Sequence, residues 1–160
     1  MENLNKLARL MLSKESASYN ETFKTKFRLI GKKAMKELAH LLELRPFDIH
    51  FNPGGIAVSG DLRLMGMWSE GDGVYICMSK NVPNAPYGQI LYRTIKHMKD
   101  FAGGPNQWMR YETLRDPARL KKLICQLRPL SEESKSSEGN SGTKIENPKR
   151  RMRCQSGKEN

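Results

Sequence analysis

The sequence predicts an α+β fold: a four-stranded, mainly antiparallel meander sheet with helices packed on one face, followed by a disordered C-terminal tail. Three observations carry this. Apolar residues recur at helical spacing up to Leu42 and switch to a period of two at Phe47. The connections between successive strand-like runs are short and turn-rich, which favours antiparallel neighbours. From Ser131 onward the chain is Ser, Glu, Lys, Gly and Asn, with almost nothing to bury.

The first element is a short amphipathic helix over residues 3–12, with Leu4, Leu7, Ala8 and Met11 on one stripe. Residues 13–20 interrupt it, and Asn20 or Ser18 is placed to cap a second helix. Phe23, Phe27, Ile30, Ala34, Leu38, Leu41 and Leu42 mark that helix, a long one, which ends before Pro46 because proline disfavours helical geometry at Arg45. Gly31, in its middle, marks a close backbone approach or a simple loss of helix propensity.

Phe47, Ile49 and Phe51 alternate with Asp48, His50 and Asn52 in a first strand with one buried face. The turn Asn52–Gly55 leads into IAVSGDLRLMGMW, whose Ser59-Gly60 kinks, bulges or divides a second strand. SEGDG (69–73) reads as a hairpin turn, since Asp-Gly tolerates positive φ, and leads into a third strand, VYICMS (74–79). The prolines of residues 80–88 interrupt pairing before a fourth strand, QILYRTIKH. The segment KDFAGGPNQW (99–108) reads as a strand-to-helix connection. Asp116 as N-cap and Pro117 at the first helical position open the last helix, which carries Leu120, Leu123, Ile124 and Leu127. The predicted organisation is an N-terminal helix and linker (1–19), a single α+β domain (20–128) and a disordered basic tail (129–160).

Charge is the strongest global signal. The 160 residues carry 28 Lys/Arg against 17 Asp/Glu, a net of +11. Residues 129–160 hold seven of those cations and five of the acids, so residues 1–128 carry the other 21 and 12, a net of +9. The basicity belongs to the predicted domain. It points to a polyanionic partner, nucleic acid or a nucleoprotein, over an anionic membrane. No window approaches the roughly 18 apolar residues of a membrane span, and the N-terminus lacks a secretory apolar core. Cys77, Cys125 and Cys154 are odd in number and widely spaced, which argues against a disulfide framework or a structural zinc site and for a reducing, cytoplasmic environment.

Two cationic groups are candidate phosphate contacts. In the long helix Lys24, Arg28, Lys32 and Lys36 are spaced four apart, with Lys26 and Lys33 beside them and only Glu21, Glu37 and Glu43 to offset them. Like charges at that spacing repel by a few tenths of a kcal/mol per pair, a cost that a phosphate backbone offsets through counterion release. Segment 92–122 carries Arg93, Lys96, Lys99, Arg110, Arg115, Arg119, Lys121 and Lys122 against three acids. Tyr92, Trp108 and Tyr111 are interleaved with these cations as candidate stacking groups, the combination a single-strand surface uses. The plainer readings are a solvated helix face and core aromatics.

Gly103-Gly104 could bring backbone N–H groups to a phosphate, but the sequence matches no nucleotide-binding fingerprint, and no cofactor is expected. Three histidines without His-x-His or His-Glu-x-x-His spacing argue against a metal centre. His97 with Asp100 is the one pair that would suit a small nuclease or hydrolase. The tail cluster PKRRMRC (148–154) suits nuclear import or a phosphate-gripping arm.

The run GKKAMKELAHLLEL superficially resembles the basic helix of a double-stranded-RNA-binding domain. In that family the basic helix follows three strands, whereas here it precedes them, so no residues carry over. NPGGIAVSGDLRL with LYRTIKHMKDFAGGPNQW resembles small proteins of bacterial plasmids and phages, over roughly residues 22–128. The resemblance implies a mobile-element setting and no particular activity. The leading expectation is a non-enzymatic module binding nucleic acid or a nucleoprotein. The alternative is an inhibitor of the plasmid or phage type that docks on a host defence complex, such as a CRISPR nuclease.

Overall fold

In the computed structural model of the chain, residues 1–17, 20–53, 60–79 and 89–128 are described. The chain divides into Met1–Pro129 and Leu130–Asn160. The predicted tail, with its basic cluster and Cys154, lies outside the described residues, as do Gly54–Ser59 and the 80–88 connection.

Helices α1 (Glu2–Leu12) and α2 (Glu21–Leu41) precede strands β1 (Phe47–Asn52), β2 (Asp61–Met67), β3 (Gly73–Met78), β4 (Gln89–Ile95) and β5 (Gln107–Arg110). Two 3-10 turns, at Lys14–Ala17 and Tyr111–Arg115, and helix α3 (Pro117–Cys125) complete the order. The five strands form an antiparallel meander in sequence order. The expected class is correct and the expected strand number is one short. QWMR, at four residues and just after Pro105, is too brief to show a period of two. The 99–108 segment therefore joins strand to strand, and the turn into α3 comes later.

Asn20 accepts from the Phe23 N–H at 2.8 Å, and Asp116 accepts from the Arg119 N–H at 3.0 Å with Pro117 in the first turn. Each side chain satisfies an N–H that has no partner within its helix.

The sheet has two unlike faces. Phe47, Ile49, Phe51, Leu62, Leu64, Val74, Ile76, Ile90, Tyr92 and Met109 face α1 and α2 in the main core. Gly31 lets α2 approach β2: a Cβ there would come within 2.6 Å of Leu62 Cδ2. A smaller cluster on the opposite face joins Met65, Tyr75, Cys77, Leu91 and Ile95 with Met67, Met98 and Trp108.

Helix α1 was expected to precede the domain, yet it is one of its core elements. Leu4, Leu7 and Ala8 are fully buried. Its first turn is held by Glu37 of α2, which accepts from the Asn3 N–H at 3.1 Å, the Leu4 N–H at 3.1 Å and Asn3 Nδ2 at 2.5 Å. Burial pushes the Glu37 carboxyl upward, but these hydrogen bonds outweigh it and hold the group below the usual glutamate range.

Candidate nucleic-acid interface

The apolar stripe of α2 turns Phe23, Phe27, Ala34 and Leu38 inward, and the 3.6-residue period then sends Arg28, Lys32, Lys33 and Lys36 outward. All four are exposed, and among the described residues none has a carboxylate within ion-pair distance. Arg28 also lies over the Phe51 ring, with Cζ 5.6 Å from its centroid. From Arg28 to Lys36 the ridge extends about 12 Å along the axis. The other two cations are engaged: Lys24 pairs with Glu21 at 2.9 Å and Lys26 with Glu15 at 2.7 Å. Leu29 stands within the ridge at 60% exposure, a position the apolar stripe skips.

The cations of segment 92–122 do not form one surface. Arg93 donates through Nη2 to the Phe101 carbonyl and through Nη1 to Asn106 Oδ1 at 3.3 Å, and its Cζ lies 4.7 Å from the Tyr75 ring centre. It ties the 96–106 loop to the sheet. Lys96 pairs with Asp72 at 3.0 Å, and Lys121 with Glu43 at 2.6 Å. Lys99 and Lys122 are exposed and apart from both pairs.

Tyr92 and Tyr111 are corrections to the expected stacking set. Tyr92 faces the main core at 7% exposure, and Tyr111 is 1% exposed with its hydroxyl donating to the Ser79 carbonyl at 3.1 Å. Neither ring can meet a base without unpacking the core. Trp108 is half-buried on the opposite face, beside its cross-strand partner Leu91.

Trp108 lines a cleft of about 620 Å³ with Arg110, Arg119 and Leu123, along β5 and the start of α3. Glu112 and Asp116 line it too, so its two arginines face two carboxylates. The cleft therefore offers phosphate little net attraction. It is also remote from the α2 ridge: α2 packs on β1 and β2, and β5 lies four strand spacings from β1, roughly 19 Å. A ligand gripping both would have to wrap around the sheet.

The 99–108 segment is built from its own polar groups. Asp100 accepts from the Lys96 N–H at 2.9 Å and the Gly103 N–H at 2.7 Å, and the Gly104 N–H donates to the Thr94 carbonyl at 2.9 Å. Gly103 adopts φ +57°, and a Cβ on it would lie 2.5 Å from the Thr94 carbonyl. Both glycine N–H groups are spent inside the protein, so the loop is no phosphate cradle. Hydrogen bonds from backbone N–H groups hold the Asp100 carboxyl below its usual range, and His97 Nδ1 accepts from the Lys99 N–H at 3.2 Å. These two groups shape the loop through its backbone N–H groups.

Among the described residues no cluster of three or more metal-ligating side chains occurs, and no helix is long and apolar enough to cross a membrane. Cys77 is buried, and burial pushes its thiol upward, away from the reactive thiolate. No family model, curated protein or solved structure matches the chain.

Proposed function

We propose that this chain is a non-enzymatic module that binds nucleic acid, with the outer ridge of α2 as its phosphate-contacting surface. One observation carries the reading: Arg28, Lys32, Lys33 and Lys36 share an exposed helix face with no carboxylate in ion-pair reach among the described residues. A fold gains nothing from four uncompensated like charges at that spacing. A polyanion converts their repulsion into counterion release.

Four phosphate contacts on duplex DNA correspond to a log K against log salt slope of about −3.6, or roughly 100-fold weaker binding between 50 and 200 mM salt. Anisotropy titration of a labelled 20-base-pair duplex across that range measures it. Lys32→Glu with Lys36→Glu should flatten the slope by about two. Salt-insensitive binding, or none, overturns the reading.

Leu29 favours a second reading. An apolar side chain 60% exposed amid these cations suits an acidic protein surface, such as a host complex, better than a phosphate backbone. Leu29→Ser discriminates, since it should leave DNA affinity unchanged and weaken docking on a protein.

A further inference from the structure

A second cavity, of about 260 Å³, opens on the sheet face turned away from α1 and α2. Asp48, His50, Arg63, Met65, Met98 and Phe101 line it. Strand register assembles most of it: His50 lies opposite Arg63 and Asp48 opposite Met65, so these four side chains leave the same face of β1 and β2. Arg63 donates through Nε and Nη2 to Asp61 Oδ2 at 3.0 and 2.5 Å, which fixes its guanidinium. The 96–106 loop supplies Met98 and Phe101. Arg93, Asp100 and Thr94 anchor that loop, yet the Phe101 ring is 65% exposed at the mouth.

The chemistry of the lining specifies a class of ligand. Two methionines and a phenyl ring suit the faces of a flat aromatic system. Asp48 accepts from ring amino groups, His50 donates or accepts, and Arg63, whose charge Asp61 already meets, donates to a ring carbonyl. The volume falls just below the roughly 300 Å³ at which sites for drug-sized ligands begin, which suits one heterocycle. We propose that this cavity holds a single unstacked nucleobase against Phe101, and that the protein therefore prefers single-stranded to duplex nucleic acid. The strand preference rests on the nucleic-acid reading above and requires a strand that also meets the α2 ridge to pass round the β1 edge of the sheet, whereas capture of the base itself requires neither.

Two measurements on the full chain test it. In methyl spectra of labelled methionine, adenosine and uridine monophosphates should shift Met65 and Met98 saturably and leave Met35, in the α2 core, unmoved. Phe101→Ala should weaken that binding by roughly tenfold, as loss of one stacked base does. In anisotropy titrations at equal salt, a 12-nucleotide single strand should bind roughly tenfold tighter than the 12-base-pair duplex. Phe101→Ala, an exposed loop change, should abolish that ratio. Lys32→Glu with Lys36→Glu should weaken both ligands and preserve it.

Unmoved Met65 and Met98 resonances overturn the cavity assignment. Shifts without a strand preference overturn its role on nucleic acid and leave a free-nucleotide pocket. Equal single-strand and duplex affinities that still fall with the α2 reversals would sink the strand preference and leave the ridge standing. Unchanged affinity in those reversals would sink the ridge.

Discussion

Helix α2 and the 96–106 loop both carry conspicuous charge in the sequence, and they use it in opposite ways. On α2 the inward stripe builds the core, and among the described residues Arg28, Lys32, Lys33 and Lys36 have no ion-pair partner, the Arg28–Phe51 contact being their one structural task. Around the loop the charged groups other than Lys99 are structural. Arg93 clamps Phe101 and Asn106, Lys96 meets Asp72, and Asp100 organises two backbone N–H groups. A cation thus counts toward a binding surface only after its internal partners have been subtracted.

Substitutions should separate the two regions. The largest effect on stability belongs to the inner face of α2. Phe27, 1% exposed and stacked 6.1 Å from Phe23, should cost about 3–5 kcal/mol as Phe27→Ala, read from the urea midpoint. On the same helix, the Lys32 and Lys36 reversals should move that midpoint by no more than about 0.5 kcal/mol while cutting DNA affinity. A large stability loss in the reversals would break the distinction between the two faces.

Next comes Arg93→Ala, with an expected loss of about 1–2 kcal/mol, because it removes two charge-assisted hydrogen bonds and the contact with the Tyr75 ring. Its effect on the salt slope should be negligible. A flattened slope with unchanged stability would return Arg93 to the binding surface.

The smallest effect is one of pH. Glu37 has a folded-state pKa below its ordinary value near 4.5, so its stabilisation is full above that value. It should fade as pH falls through the lower folded pKa, and Glu37→Gln should flatten that part of the stability curve by about 1 kcal/mol. Thermal unfolding between pH 6 and 3 reads it, and parallel curves for the two proteins would remove Glu37 as the anchor of α1.

Much of the fold can be read in advance because it rests on local signals. The change from helical to twofold period, the Asn20 and Asp116 caps and the hairpin turn after β2 all act within a few residues, although the positive φ of that turn falls on Gly71 and Gly73 is already paired in β3. β5 cannot be read that way, because four residues pair only by virtue of β4 already being in place. Nor can the membership of α1 in the core, which depends on Glu37 being 34 residues away in sequence and adjacent in space.

The candidate sites divide along the same line. The α2 ridge follows from helical geometry alone, so its residues can be named from the sequence, as Leu29 can by extending the same wheel. The burial of Tyr92 and Tyr111 and the carboxylates facing Arg110 and Arg119 depend on which strand neighbours which. The Asp48–His50–Arg63 cavity needs the β1–β2 register and a loop returning from β4.

Period and charge are properties of neighbouring residues, so the α+β class, the basic domain and the cationic helix face are all written in the order of the amino acids. Which cations remain unspent, and where an aromatic ring stays open to a ligand, were decided by the packed chain alone. Both depend on partners that only folding brings within hydrogen-bond reach.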